Sequence, residues 1–183
     1  SERPTSPRCS TASEATHVPD SGSHPRIPAT GTVPAATTPE AAMARPTLEE
    51  LQDRFEVDEL LTRYAYAIDD REFDLLDSVF TPDARIDYTS AGGIAGAYPE
   101  IKAWLSEILP MFSAYQHVVG NRRVVLDGDT GTAVSAFFNP MAMNGEISFF
   151  CGGEYHDRLV RTADGWRIAE RVERTVWNWG VPA

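Results

Sequence analysis

His117 stands in the run Ala114-Tyr115-Gln116-His117-Val118-Val119-Gly120-Asn121, among apolar neighbours, and imidazole is the side chain most often used to take and return protons in catalysis. To act as a base it needs a carboxylate on one ring nitrogen, leaving the other to work. Asp69 is the candidate. Upstream of it Val57, Leu60, Leu61, Tyr64 and Ile68 recur at three- and four-residue intervals, the pattern of a helix burying one side. At about 100° per residue Asp69 falls beside that stripe, close to where the helix should stop. Tyr64 lies within the stripe. By the two-residue alternation of a strand, Tyr88 joins Ala84 and Ile86 on one face, with Arg85 and Asp87 on the other. Two phenols can then enter one interior and donate hydrogen bonds to a carbonyl or enolate oxygen. The plainer alternatives are a core histidine with both nitrogens satisfied, and aromatic packing with the hydroxyls at the rim.

Asn139 interrupts the apolar run Ala136-Phe137-Phe138-Asn139-Pro140-Met141 and shares a face with Phe137 and Met141. A buried amide needs partners. Either it meets a ligand, or it satisfies backbone freed by Pro140, which cannot donate to a sheet ladder. Phe137, Met141 and Phe149 either line a ligand cavity or, with Met143, fill it. Tyr155 is the pocket candidate of its own strand, whose opposite face, Glu154, His156 and Arg158, reads as solvated. Cys151 lacks a CxxC companion and reads as packing. Neither HExxH nor a paired Cys/His cluster is present, so no metal site is expected. The glycines from Gly92 to Gly96 fit neither a phosphate loop nor GxGxxG, and GxSxG is absent.

The elements that must position these residues follow from composition and turn chemistry. A chain of 183 residues suits one domain with a real core. Residues 1–45 contain no Phe, Trp or Tyr and are rich in Pro, Ser, Thr and Ala, so they are expected to be a disordered tail, with Met43 a possible true start. The domain is then 46–183. Net charge is −11, and the tail's four Arg offset its four acidic residues, so the domain carries the excess. Nucleic acid and anionic membranes are disfavoured as partners. Cys9 and Cys151 make no disulfide framework, and no apolar run is long enough to span a bilayer, which fits a cytoplasmic protein.

Thr47 and Glu50 have the spacing of a capping box, so the first helix should run from Leu48 to Ile68. A second short helix is expected from Phe73 to about Phe80, closed by Thr81-Pro82-Asp83, and a third from Pro99 to Pro110. Asp127-Gly128-Asp129, Asn144-Gly145 and Asp164-Gly165 mark three hairpins. Four strands of an antiparallel meander follow, at Gln116 to Leu126, Thr132 to Met143, Glu146 to Arg161 and Trp166 to Asn178. The last two exceed the usual length, so bulges are expected near Gly152-Gly153. Trp177, Trp179 and Val181 sit on what reads as an exposed sheet face, which points to a homo-oligomer, a dimer or trimer.

Together, the run from Tyr64 to Asp74, the strand Ala84-Arg85-Ile86-Asp87-Tyr88, the segment Gln116-His117-Val118-Val119-Gly120 and the ending Asp164-Gly165-Trp166-Arg167-Ile168 resemble the SnoaL-like branch of the nuclear-transport-factor-2-like superfamily. The likeness covers nearly all of 46–183. It implies an α+β cone, a curved antiparallel sheet wrapped on three N-terminal helices with an apolar pocket at the wide end. It further implies proton chemistry on a small hydrophobic ring ketone or alcohol without metal or organic cofactor, as in the dehydratases, isomerases and polyketide cyclases of the superfamily. On that resemblance His117 is similar to the dehydratase general base, Asp69 to the aspartate that holds it, and Tyr64 and Tyr88 to catalytic phenols. Asn139, Met141 and Met143 stand where dehydratases carry a second histidine or an aspartate. The expected activity is therefore a dehydratase-type lyase, with a non-catalytic binding module and a cyclase or isomerase as the alternatives.

Overall fold

Thr47 and Glu50 close the N-terminus of the first helix reciprocally: the Glu50 amide donates to the Thr47 hydroxyl at 3.2 Å and the Thr47 amide to the Glu50 carboxylate at 2.6 Å. From that cap α1 runs Leu48–Asp69 and buries Val57, Leu60, Leu61, Tyr64 and Ile68, the stripe that the spacing predicts. The computed structural model describes residues 45–143 and 146–180, the side chains of 146–148 excepted. The expected tail with its Met43 start, the Asn144-Gly145 turn and Val181 lie outside the described residues.

After α1 the segment Phe73–Ser78 is a single 3-10 stretch, and strand β1 (Phe80–Asp87) starts at Phe80 and passes through Thr81-Pro82-Asp83. The short helix expected to reach Phe80 is thus shorter and tighter, because Val79 and Phe80 are drawn into the sheet: the Ile168 amide donates to Val79 O at 2.9 Å. Strand β2 (Ala95–Ala97) folds back on β1 and leads into α2 (Tyr98–Ile108). Next come β3 (Ala114–Tyr115), β4 (Val118–Asp127), β5 (Thr130–Met143), β6 (Glu146–Thr162) and β7 (Gly165–Trp179). The first long strand therefore begins at Val118, and His117 sits in the link before it. Strands β4 to β7 form the expected antiparallel meander.

One correction concerns the sheet as a whole. β1 pairs with β7 in parallel, so the curved, unclosed, seven-stranded sheet is mixed, in the order β2-β1-β7-β6-β5, with β3 and β4 both on β5. Among the described residues α1, the 3-10 stretch and α2 pack on it, α1 on β4 and β7, the 3-10 stretch and α2 on β1. Among the described residues no helix is long and apolar enough to cross a membrane.

Strand β7 carries two irregularities. At the first, Arg158 opposes Glu170 while Leu159 opposes Ile168, which makes Ala169 an extra residue. Since strand side chains alternate with period two, one extra residue reverses every inward and outward position after it. Trp166 and Ile168 point inward before the bulge, and Arg171 and Glu173 after it. At the second, Gly152 opposes Trp177 and Gly153 opposes Thr175, with Val176 extra. Parity is reversed again, and Trp177 and Trp179 turn outward. Gly153 is required there, because a Cβ would lie 2.0 Å from the Arg174 carbonyl oxygen.

Under the sheet's inner face lies a fully buried ion pair. Arg171 Nε and Nη2 each donate to Asp157 at 2.7 Å, and both side chains are 0% exposed. The guanidinium lies over the rings of Tyr64, at 4.0 Å, and Tyr155, at 4.4 Å, which meet edge to face. Burial opposes the charge and Asp157 overrides it. Removing one member strands the other in an apolar core. Asp157→Ala should therefore lower unfolding free energy by about 3–5 kcal/mol in a denaturant titration, and Asp157→Leu combined with Arg171→Met should recover much of it.

Candidate active site

Three contacts fasten the end of α1 to the segment leading into β4. Tyr115 donates its hydroxyl to Ile68 O at 3.0 Å, and Arg71, which takes a left-handed backbone at φ 59°, donates to Phe112 O at 2.7 Å. Asp69, the last residue of the helix, makes the third: the His117 amide donates to its carboxylate at 2.9 and 3.0 Å, and its Oδ1 lies 2.7 Å from His117 Nδ1. Backbone and ring are thus held by one carboxylate. With Nδ1–H donating to Asp69, Nε2 keeps the lone pair and is the nitrogen left to take a proton. The His117 side chain is 8% exposed and faces a cavity of about 440 Å³.

That cavity is the right size for a ligand of two or three rings. Tyr64 and Tyr88 both line it, with their hydroxyls 3.0 Å apart. Burial pushes both phenols up, Tyr88 far above its ordinary range, so they stay protonated and serve as donors. One of the two protons is used between them. The other remains for an oxygen of a ligand.

The sheet supplies the far wall. Inward positions of β5, β6 and β7 form rows across it: Asn139 opposite Cys151 opposite Asn178, and Ser135 opposite Tyr155 opposite Glu173. Asn139, Met141, Phe149 and Tyr155 line the cavity as candidates; Phe137 does not. It is buried behind Tyr155, ring on ring at 4.6 Å, and so supports a wall residue without contacting a ligand. Asn139 is 5% exposed, and its Oδ1 has no hydrogen-bond partner among the described residues. Cys151 packs against the same wall, and burial pushes its thiol up to about 11. His156 is outside, against Glu154 at 2.9 Å.

Several wall residues are not legible in the sequence, among them Trp104, Asn178 and Glu173. Trp104 comes from α2 and rests on Gly93, where a Cβ would lie 2.8 Å from the indole. Asn178 and Glu173 come from β7. Simple alternation from Trp166 and Ile168 puts Glu173 outward, and only the Ala169 bulge brings it in. Burial pushes its carboxyl up to about 7, with Asp87 adding to the rise and Arg171 opposing it. A wider surface groove of about 830 Å³ lies between Phe73–Ser78 and α2. Three of its charges pair with one another: Lys102 reaches Asp74 at 2.8 Å and Asp77 at 3.0 Å, and Tyr98 donates to Asp77 at 2.6 Å.

With the geometry in view, the chain can be compared with known proteins. Residues 49–172 match the SnoaL-like domain. Uncharacterized protein Rv2910c of Mycobacterium tuberculosis is 52% identical over 129 residues, covering 69% of this chain and 88% of its own. Among solved structures, the Kfla4162 protein of Kribbella flavida superposes with a TM-score of 0.65 at 28% identity, covering 70% of this chain and 94% of that one. A protein provisionally named scytalone dehydratase, from Novosphingobium aromaticivorans, gives a TM-score of 0.65 at 17% identity, covering 73% and 90%. The last likeness is one of fold.

The raised Glu173 carboxyl has a consequence for stability. A folded-state value of about 7, above the ordinary carboxylate value, means the folded chain holds this proton more tightly than the unfolded chain does. Stability is full below the unfolded value and falls as pH rises through about 7. Glu173→Gln should remove that loss, so its melting temperature should exceed wild type increasingly from pH 5 to 8. The advantage should level off at about 3 kcal/mol at most.

Proposed function

The chain belongs to the SnoaL-like domain family, and on that premise we propose that it is a cofactor-independent, cytoplasmic lyase of the dehydratase type, acting on a small to medium apolar ring ketone or alcohol. The observation that carries this reading is the Asp69–His117 contact at 2.7 Å beside a cavity that side chains leave open. A binding module of this fold has no need of an oriented imidazole. Its apolar wall suits a hydrophobic ring compound, and Tyr64 and Tyr88 supply a donor for the substrate carbonyl. In the reaction His117 Nε2 removes the proton next to that carbonyl, Asp69 stabilises the imidazolium, and the phenols bind the enolate oxygen. Expulsion of a hydroxyl from the adjacent carbon completes the elimination. The name borne by the Novosphingobium structure belongs to the same reaction class.

A test substrate is a β-hydroxytetralone, which yields a fluorescent naphthol and one water. Wild type should form naphthol, and His117→Ala should lose about 10²–10⁴-fold in kcat/KM with its melting temperature and its binding of tetralone little changed. Full activity in that variant would sink the mechanism. We further propose that the protein is a homo-oligomer, a dimer or trimer, joined through the outer sheet face. Phe138, Phe150, Trp177 and Trp179 form an aromatic row there, with ring centroids 5.8 Å apart and Trp179 68% exposed. Trp177→Ser with Trp179→Ser should shift the sedimentation profile to monomer; a wild-type monomer would remove the proposal.

A further inference from the structure

Elimination of water from a ketone moves two protons, one off the carbon acid and one onto the departing hydroxyl, and a separate acid for the second frees the base from carrying both. The position on β5 that the resemblance marks for a second proton-transfer group holds Asn139, which cannot ionise. The structure supplies a carboxyl from another strand. Resting on the dehydratase reading above, we propose that Glu173 is a catalytic residue, the general acid that protonates the leaving hydroxyl from the wall opposite His117.

The placement carries the argument. Glu173 and His117 line the same cavity, Glu173 from β7 and His117 from the segment entering β4. Between β7 and the segment entering β4 lie β6 and β5, three spacings or ~14 Å along the sheet, and the curvature turns the two groups toward one space. The Glu173 residue is 8% exposed. Elsewhere on the same wall, in the row of Cys151 and Asn178, Asn139 Oδ1 lacks a partner among the described residues and offers an acceptor to a hydroxyl of a ligand.

Elimination among the other groups leads to the same residue. The ionisable side chains facing the cavity are Tyr64, Tyr88, His117, Cys151, Tyr155 and Glu173. His117 is committed as base. Burial holds Tyr64, Tyr88 and Tyr155 protonated and makes them weak acids, and the Cys151 thiol, at about 11, is weak too. Glu173 keeps its proton up to about pH 7 and still surrenders it readily. Its charged surroundings are Arg171 on its own strand, which opposes the proton, and Asp87 on β1, which favours it. Asp157 on β6 neutralises Arg171, and Asp69 stands behind His117 on the other side.

The step balances. His117 Nε2 takes the α-proton as the enolate forms, the β-carbon–oxygen bond breaks with its electron pair on oxygen, and Glu173 gives that oxygen a proton, releasing water. An imidazolium and a carboxylate remain, and one proton lost to solvent and one regained restores both. No oxidant or reductant is involved.

The experiment compares leaving groups. Chloride leaves without a proton, so a β-chlorotetralone bypasses the general acid while still requiring His117. Glu173→Gln should lower dehydration of the β-hydroxytetralone by about 10²-fold or more and chloride elimination by less than about threefold. In wild type, the ratio of dehydration to chloride elimination should fall about tenfold per pH unit above about 7, because His117 cancels from the ratio while Glu173 does not. This second measurement needs no variant. Equal losses on both substrates in Glu173→Gln, or a ratio flat with pH, would overturn the assignment while leaving the dehydratase reading intact. Failure of wild type to exchange the α-protons of plain tetralone with deuterium would overturn that reading, and this one with it.

Discussion

The buried Asp157–Arg171 pair constrains everything above it. Taking two charges out of water costs several kcal/mol per ion, and only close, bidentate geometry with further contacts offsets that cost. Here the contacts are the faces of Tyr64 and Tyr155 against the guanidinium. The pair joins adjacent strands of the sheet to α1, so that a phenol on a helix and a phenol on a strand take their positions from one cation. It also dictates backbone shape. Arg171 can reach Asp157 only if β7 presents it inward, and the extra residue at Ala169 does so. The same reversal delivers Glu173 to the cavity, so the core's one fully buried ion pair among the described residues and the far wall of the candidate site share a cause.

The near wall is built on a different principle. A helix C-terminus has unsatisfied carbonyls and a partial negative charge, an unfavourable place for a carboxylate unless donors surround it. Asp69 is compensated by the His117 amide and ring, and the Ile68 carbonyl by the Tyr115 hydroxyl. The segment carrying His117 therefore satisfies the end of α1 and is oriented by it. Fold and candidate chemistry depend on the same hydrogen bonds, which makes the imidazole's placement rigid.

Between the walls the cavity is mostly apolar, and this sets the behaviour of its polar groups. Phenols, thiol and carboxyl are all pushed toward their neutral forms by burial. A cavity whose groups are mainly protonated donors favours developing negative charge on a bound oxygen. The two glycines of β6 shape the opposite side of the sheet. Gly152 leaves room for the Trp177 indole to lie across the outer face, and Gly153 lets the backbone close on Arg174. The outer aromatic row is the result.

The sequence by itself determined what depends on local periodicity. The capping box, the α1 stripe, the placement of Asp69 beside it, the face shared by Ala84, Ile86 and Tyr88, and the bulge near Gly152-Gly153 were all legible, because each is a matter of a few neighbouring residues. Tertiary structure alone decided the rest. The meeting of Asp69 with His117, 48 positions later, was an expectation carried by resemblance, since spacing says nothing about so distant a partner. The parallel pairing of β1 with β7 drew Phe80 from a helix into a strand, and Phe137 proved to support Tyr155 because the two rings stack. Arg171 and Glu173 were hidden for the clearest reason. Alternation counts residues, and a single unpaired residue at Ala169, visible only once β6 and β7 are aligned, inverts the count.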